Sequence, residues 1–205
     1  MKVLGRVSSL NVRKALWACA ELGLEPARED WGAGFRDVTE PAFVALNPNA
    51  QIPVLVDGDF VLWESSTIIR YLCNAHGGIA LYPAESRARA GIDKWIDWQA
   101  SELNPAWSYA FQAVVRKSDQ HTDLDLIARS LGQWTRMMTI LDGQLAETGG
   151  YVAGPEFSLA DIPVGVSVAR WFATPIERKA LPAVDAYVER LRLRPGFQAF
   201  GIGYP

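Results

Sequence analysis

The stretch that decides the fold runs Leu46-Asn47-Pro48-Asn49-Ala50-Gln51-Ile52-Pro53-Val54-Leu55, then through Asp57-Gly58-Asp59 to Trp63-Glu64-Ser65-Ser66. A short helix over 40–46 stops before Pro48, because the residue ahead of a proline is pushed out of the α region. A loop then leads into a strand at Ile52-Pro53, where a proline in first position removes no central ladder bond. The apolar runs Pro53-Val54-Leu55-Val56 and Phe60-Val61-Leu62-Trp63 flank an Asp-Gly turn, which predicts a β-hairpin. A helix follows from about Glu64, with Ile68, Ile69, Leu72 and Cys73 on its apolar side. Glu64 and Ser65 are thereby placed at a helix N-terminus, where unpaired N–H groups and the dipole favour an anion. A ligand carboxylate can dock there while an extended peptide lies along the strand edge beside Ile52.

Working outward, Lys2 to Leu4 is a short strand candidate ending at Gly5. Val12, Ala15, Leu16, Cys19 and Leu22 follow at helical spacing, with Asn11 as N-cap and Gly23 as C-cap. Ala27 to Trp31 is a second strand. The region around His76-Gly77-Gly78 through Tyr82-Pro83-Ala84 carries turn formers and no period. Beyond it every periodic segment is helical. Ile92, Trp95, Ile96, Gln99, Leu103, Ala106, Trp107, Ala110 and Val114 trace one long face that Pro105 should kink. Leu124, Ile127, Leu131, Trp134, Met138, Leu141 and Leu145 form an amphipathic stripe. Ser158 and Asp161 make a start signal for a buried helix over 164–172. Val184, Tyr187, Val188 and Leu191 give a last helix before Pro195.

Composition narrows the function classes. The chain has 205 residues, 49 % of them hydrophobic, with a formal charge of −3. It offers neither the basic surface that nucleic acid requires nor a polybasic membrane anchor. Two cysteines, Cys19 and Cys73, cannot build a disulfide scaffold and suit a reducing compartment. No stretch approaches the roughly 20 apolar residues of a membrane span, and no targeting segment is visible. A soluble, cytoplasmic protein is expected. Eight tryptophans point to large buried surfaces or an aromatic pocket.

The string from Asn47 to Ser65 closely resembles the glutathione-site motif of the cytosolic glutathione S-transferases, and the likeness extends over the whole chain, to the serine-type, bacterial and theta-like members. The resemblance implies an α/β + all-α architecture. A thioredoxin-like β-α-β-α-β-β-α domain at 1–78 would be followed by a linker at 79–85 and an all-helical domain at 86–205. It implies that Ile52 pairs through its backbone with the cysteinyl part of glutathione, that the peptide bond before Pro53 is cis, and that Glu64 and Ser65 hold the γ-glutamyl end. Gln51 matches a position that contacts the glycyl end. The capping motif from Ser158 to Asp161 is also shown by the family.

The reactive end of glutathione would face the loop Arg6-Val7-Ser8-Ser9-Leu10-Asn11. Conjugation needs a thiolate, whereas a free thiol near pKa 8.5 is mostly protonated at neutral pH. By the resemblance Ser9 falls at the catalytic hydroxyl of serine-type members, and Asn11 where some bacterial relatives place a second donor. Ser8 is a competitor, and the same three residues can also cap the helix. No tyrosine occurs in the loop, which argues against a tyrosine mechanism, and no cysteine, which argues against deglutathionylation. Cys19 and Cys73 fall on apolar helix faces as packed thiols. Cys73 and His76 are too few for a metal site, so no metal and no cofactor beyond glutathione as co-substrate is implied. His76 is expected to end a helix, and Asp161 to be structural.

Asn104, Trp107, Ser108 and Phe111 share one helix face, with Trp171 approaching from the buried helix. They suggest a mostly apolar pocket for a hydrophobic electrophile. The implied reaction is transfer of the glutathione thiolate to such an electrophile, a detoxification chemistry, in a homodimer without nucleic-acid or membrane partners. A glutathione-dependent peroxidase or isomerase would use the same thiolate. A non-catalytic ligand-binding protein of the same fold is the third possibility, against which Ser9, Gln51, Glu64 and Ser65 argue.

Overall fold

The computed structural model describes residues 1–202; the expected end of the second domain at 205 lies outside them. The first part of the chain runs β1 (Lys2–Leu4), α1 (Leu10–Glu21), β2 (Ala27–Glu29), α2 (Pro41–Val44), β3 (Val54–Asp57), β4 (Phe60–Trp63) and α3 (Ser65–Ala75). The sheet order is β2-β1-β3-β4, with β1 parallel to β2 and the other pairs antiparallel. Side chains alternate across the two central strands. Val3 and Leu55 are fully buried with Ile68, Ile69 and Leu72 of α3, in the core that also holds α1. Leu4 and Val54 point the other way, onto Trp31 and Phe43. Each such side chain contributes about 1.5–3 kcal/mol by leaving water.

Helices make up the rest: α4 (Ser86–Trp98), α5 (Asn104–Val114), α6 (Leu124–Thr148), α7 (Asp161–Ala173), α8 (Pro182–Arg192) and α9 (Pro195–Phe200). This is a thioredoxin-like first domain followed by a helical one. The two share one continuous core through Trp17. That side chain is fully buried, with ring centroids 5.2 Å from Phe197 and 6.1 Å from Phe157. Its indole donates to Glu21 Oε1 at 2.8 Å, and Arg194 Nη2 meets Glu21 Oε2 at 2.6 Å. Gly196 makes this closure possible, since a Cβ there would lie 2.3 Å from the indole ring of Trp17.

Several boundaries differ from expectation. The N-cap of α1 is Ser9, not Asn11: the Ser9 carbonyl accepts from Arg13 N at 3.0 Å, and Asn11 lies within the first turn. Pro105 does not kink the long helix on its own. Gln99–Leu103 forms a π-helical turn immediately before it, and Pro105 sits in the first turn of α5, where its missing N–H costs nothing. The stripe of α6 is only partly covered: Trp134, Met138, Leu141 and Leu145 are buried, whereas Leu124 overhangs in solvent. The helix carrying Val184 to Leu191 ends before Pro195 but is not the last, because Pro195 opens α9, as proline at a first helical position does. The α7 helix starts at Asp161, and Phe172 at its end is exposed.

Candidate active site

Gly5 ends β1 at φ +138°, and a Cβ there would meet Val12 Cγ2 at 2.6 Å and Ile52 Cβ at 2.9 Å. Only glycine lets the loop 6–9 cross so close to Ile52. Two recesses flank this crossing. The first is a narrow cleft lined by Asn11, Asn47, Asn49, Gln51, Ile52, Pro53, Glu64 and Ser65. It therefore gathers all five residues that sequence assigned to glutathione. The Ile52–Pro53 bond is cis. Asn47, buried and overlooked in the sequence, shapes the loop: its Nδ2 donates to Gln51 O at 2.7 Å and its Oδ1 accepts from Asn49 N at 3.0 Å. An asparagine set between a helix end and a proline was the available signal for such a turn.

Glu64 is the N-cap of α3 at φ +71°, a conformation that a non-glycine residue adopts at a cost of about 1–3 kcal/mol. Its exposed side chain does not cap the helix, so the first-turn N–H groups behind it remain available to a carboxylate. Ser65 is buried, and its Oγ donates to Asn11 Oδ1 at 3.3 Å.

The second recess, of about 450 Å³, opens at the N-terminus of α1. Ser8, Ser9, Leu10 and Asn11 line it from one side, and Asn104, Trp107, Ser108 and Phe111 of α5 from the other. Asn11 borders both recesses and joins them. Ser9 is the N-cap of α1, yet its hydroxyl makes no capping bond. The Ser8 hydroxyl accepts from Arg6 Nη1 at 2.8 Å. Trp171, expected to approach this recess, does not line it. It is buried against Trp134, ring centroids 4.9 Å apart, because α7 turns that face into the centre of the helical domain.

Sequence reading missed Arg6, Gln112, Arg116 and Arg170, which complete the second recess and make it more polar than Trp107 and Phe111 alone suggest. Two signals were available. Gln112 and Arg116 continue the Ser108 face at successive steps of four, and Arg170 is a charge within an otherwise apolar helix. Its guanidinium stacks 4.6 Å from the Trp107 ring centroid and 4.2 Å from that of Phe111.

Behind the recess, Lys14 is buried and its Nζ donates to Gln99 Oε1 at 2.8 Å. Gln99 Nε2 in turn reaches Asn104 Oδ1 at 2.7 Å and Ser167 Oγ at 2.8 Å, which fixes the start of α5. Burial pushes the Lys14 ammonium down to about 7, the charge of Glu64 opposes this, and that of Arg170 adds to it. The unfolded chain keeps this proton up to the ordinary lysine range, so folding becomes more favourable as pH rises from about 7 towards that range. Between pH 7 and 9 the wild type should gain about 2 kcal/mol more stability than Lys14→Met. Urea unfolding at the two pH values checks this; equal gains would show that Lys14 stays charged in the fold.

Cys19 and Cys73 are buried, and burial pushes both thiols up to about 12. They are protonated and inert at neutral pH. His76 ends α3, its Nε2 3.6 Å from Asp57 Oδ2. Among the described residues no helix is long and apolar enough to cross a membrane.

Comparison with known proteins agrees with this geometry. A sequence profile for the glutathione S-transferase N-terminal domain matches residues 8–75. Glutathione S-transferase GstB of Escherichia coli is 30% identical over 93% of this chain and 92% of its own. Glutathione S-transferase 3 of Zea mays is 33% identical over 97% and 91%. A theta class glutathione S-transferase from Xanthomonas axonopodis pv. citri, solved with glutathione bound, superposes with a TM-score of 0.92 at 39% identity, over 98% of this chain and 97% of that one. The chain belongs to the glutathione S-transferase family.

Proposed function

We propose that this glutathione transferase holds the tripeptide in the cleft at Gln51, Ile52, Pro53, Glu64 and Ser65 and stabilises its thiolate with the hydroxyl of Ser9. One observation carries the reading: an uncommitted N-cap hydroxyl faces a recess that Asn11 joins to that cleft. Lowering a thiol by about two pKa units takes about 2.7 kcal/mol. A hydrogen bond to an anion contributes about 1.5–3 kcal/mol and a helix N-terminus about 0.3–1 kcal/mol. The thiol proton leaves to solvent. The sulfur then attacks an electrophilic carbon in the recess, the C–S bond forms, and the leaving group departs with its electron pair. Positioning and thiolate formation do the catalytic work, without a general base.

Glutathione at about 100 times its dissociation constant should stabilise the fold by about 2.7 kcal/mol and raise Tm by about 5–10 °C. An unchanged melt, together with no retention on immobilised glutathione, would remove the assignment.

The division into domains at 1–78 and 86–205 with a linker at 79–85, and the cytoplasmic setting, belong to the same reading. So does a C₂ homodimer. The exposed aromatics Phe60 and Trp63 on edge strand β4 support it, as a surface for a second copy to cover. Light scattering at micromolar concentration should give about twice the 22.6 kDa chain mass; the monomer mass would contradict it.

A further inference from the structure

We propose, resting on the transferase reading, that the electrophile recess selects substrates bearing a negative charge, such as a small aromatic halide with a carboxylate, held by Arg6, Arg116 and Arg170.

Three separate places in the fold bring these guanidinium groups to one recess: the loop after β1, the turn just after α5, and the last turn of α7. Among the described residues that line it there is no aspartate or glutamate. The cations also bracket its apolar wall. Arg170 stacks on Trp107 and Phe111, and Arg116 lies 5.5 Å from the Phe111 ring centroid. Arg6 reaches in beside the serines, with its Nε buried and without a hydrogen-bond partner among the described residues. An aromatic ring with an anionic substituent matches this surface, the ring on Phe111 and Trp107 and the charge among the guanidinium groups.

Gathering them is electrostatically unfavourable. Burial and then the charge of Arg116 push Arg6 below its ordinary value. Burial, then Arg13 and Arg116, push Arg170 down to about 9. Such repulsion is relieved by an anion, and the glutathione thiolate is a single charge beside both Arg6 and Arg116. The γ-glutamyl carboxylate is placed in the other recess, at the start of α3. A cavity of about 450 Å³ is within the range for a small-molecule site and large enough for a substituted benzene. In the reaction the thiolate sulfur attacks the benzylic carbon, the C–S bond forms, and the C–Cl bond breaks with its pair leaving as chloride. The carboxylate takes no part beyond binding.

The test compares para-(chloromethyl)benzoate with para-(chloromethyl)benzamide, each rate divided by its uncatalysed rate with glutathione. Wild-type kcat/KM should favour the benzoate by about tenfold, the size expected of one or two partly exposed charge-assisted contacts, and high salt should shrink that preference. The preference should fall several-fold in Arg6→Met and in Arg116→Met; Arg116 is exposed at a helix end, so its loss leaves the core intact. A wild-type ratio near one, or variants that lose both substrates equally, would overturn the proposal, the latter by showing that the cations serve the thiolate. An inert benzoate alongside turnover of a neutral chloro-dinitrobenzene overturns the anion preference alone. If all three electrophiles are inert, the transferase reading falls and this one with it.

Discussion

Asp161→Ala is expected to cost about 3–5 kcal/mol of folding stability, a large part of what a domain of this size has. The carboxylate is fully buried at the start of α7 and accepts four hydrogen bonds. Oδ1 accepts from Val152 N at 2.9 Å and from the Tyr187 hydroxyl at 3.0 Å; Oδ2 accepts from Ser158 N at 2.8 Å and from Ser158 Oγ at 3.1 Å. Alanine leaves the Val152 and Ser158 amides and the Ser158 hydroxyl buried without this acceptor and the Tyr187 hydroxyl with only the residue-161 backbone oxygen at 3.4 Å, and each unpaired donor carries a desolvation penalty of about 1–3 kcal/mol, partly relieved by relaxation. Asp161→Asn should lose less, because one oxygen is retained with its two donors and only the other two donors meet the amide N–H groups. Burial also pushes the Asp161 carboxyl up to about 6. Over the interval from the ordinary aspartate range to about 6 the folded chain keeps a proton that the unfolded chain has lost, so wild-type stability should fall as pH rises through it. Urea unfolding of both variants checks the ranking, and a loss below about 1 kcal/mol for alanine would show that the network is dispensable.

Ser9→Ala should raise the pKa of the bound glutathione thiol by about one unit, the loss of one hydrogen bond to the anion of about 1.4 kcal/mol, and lower the rate at neutral pH by about threefold, as the thiolate fraction falls. Fold stability should change little, because the Ser9 hydroxyl makes no capping bond. Glutathione affinity should also hold, since in the proposed binding mode Ile52, Glu64 and Ser65 carry the rest of the tripeptide. Ser8→Ala should be nearly silent, its hydroxyl being an acceptor for Arg6. Asn11→Ala should be intermediate, because Asn11 accepts from Ser65 and links the two recesses. Thiolate absorbance in the far ultraviolet, followed against pH with glutathione bound, reads each variant. A titration that moves with Ser8→Ala and not with Ser9→Ala would transfer the role one residue back.

The cleft was legible because its parts are local. Ile52, Pro53, Glu64 and Ser65 lie within fourteen consecutive positions whose turn, strand and helix signals are set by backbone sterics and short-range pairing. The same locality made the hairpin, α3 and the helical character of the second half readable. The N-cap of α1 was missed by two residues, since Ser8, Ser9 and Asn11 all suit a cap and only the position of the Arg13 amide chooses among them. The fate of the aromatic faces was less legible. Trp107 and Trp171 occur in similarly apolar helices, yet one borders the recess and the other is buried against Trp134, a choice made by how α5, α6 and α7 rotate against one another. Periodicity reports which face is apolar; it carries no information about which neighbour that face meets.

The guanidinium cluster shows the same division most clearly. Arg6, Arg116 and Arg170 are separated by more than fifty residues at each step, and each read alone is an ordinary charge. Local chemistry, written in adjacent residues, specified a strand entered through a proline and a helix start with an uncapped first turn. The charge of the second recess arises from three parts of the fold converging on one cavity. That convergence depends on long-range packing around Trp17, Trp134 and Gly196, contacts between residues far apart in the chain that no short-range pattern encodes.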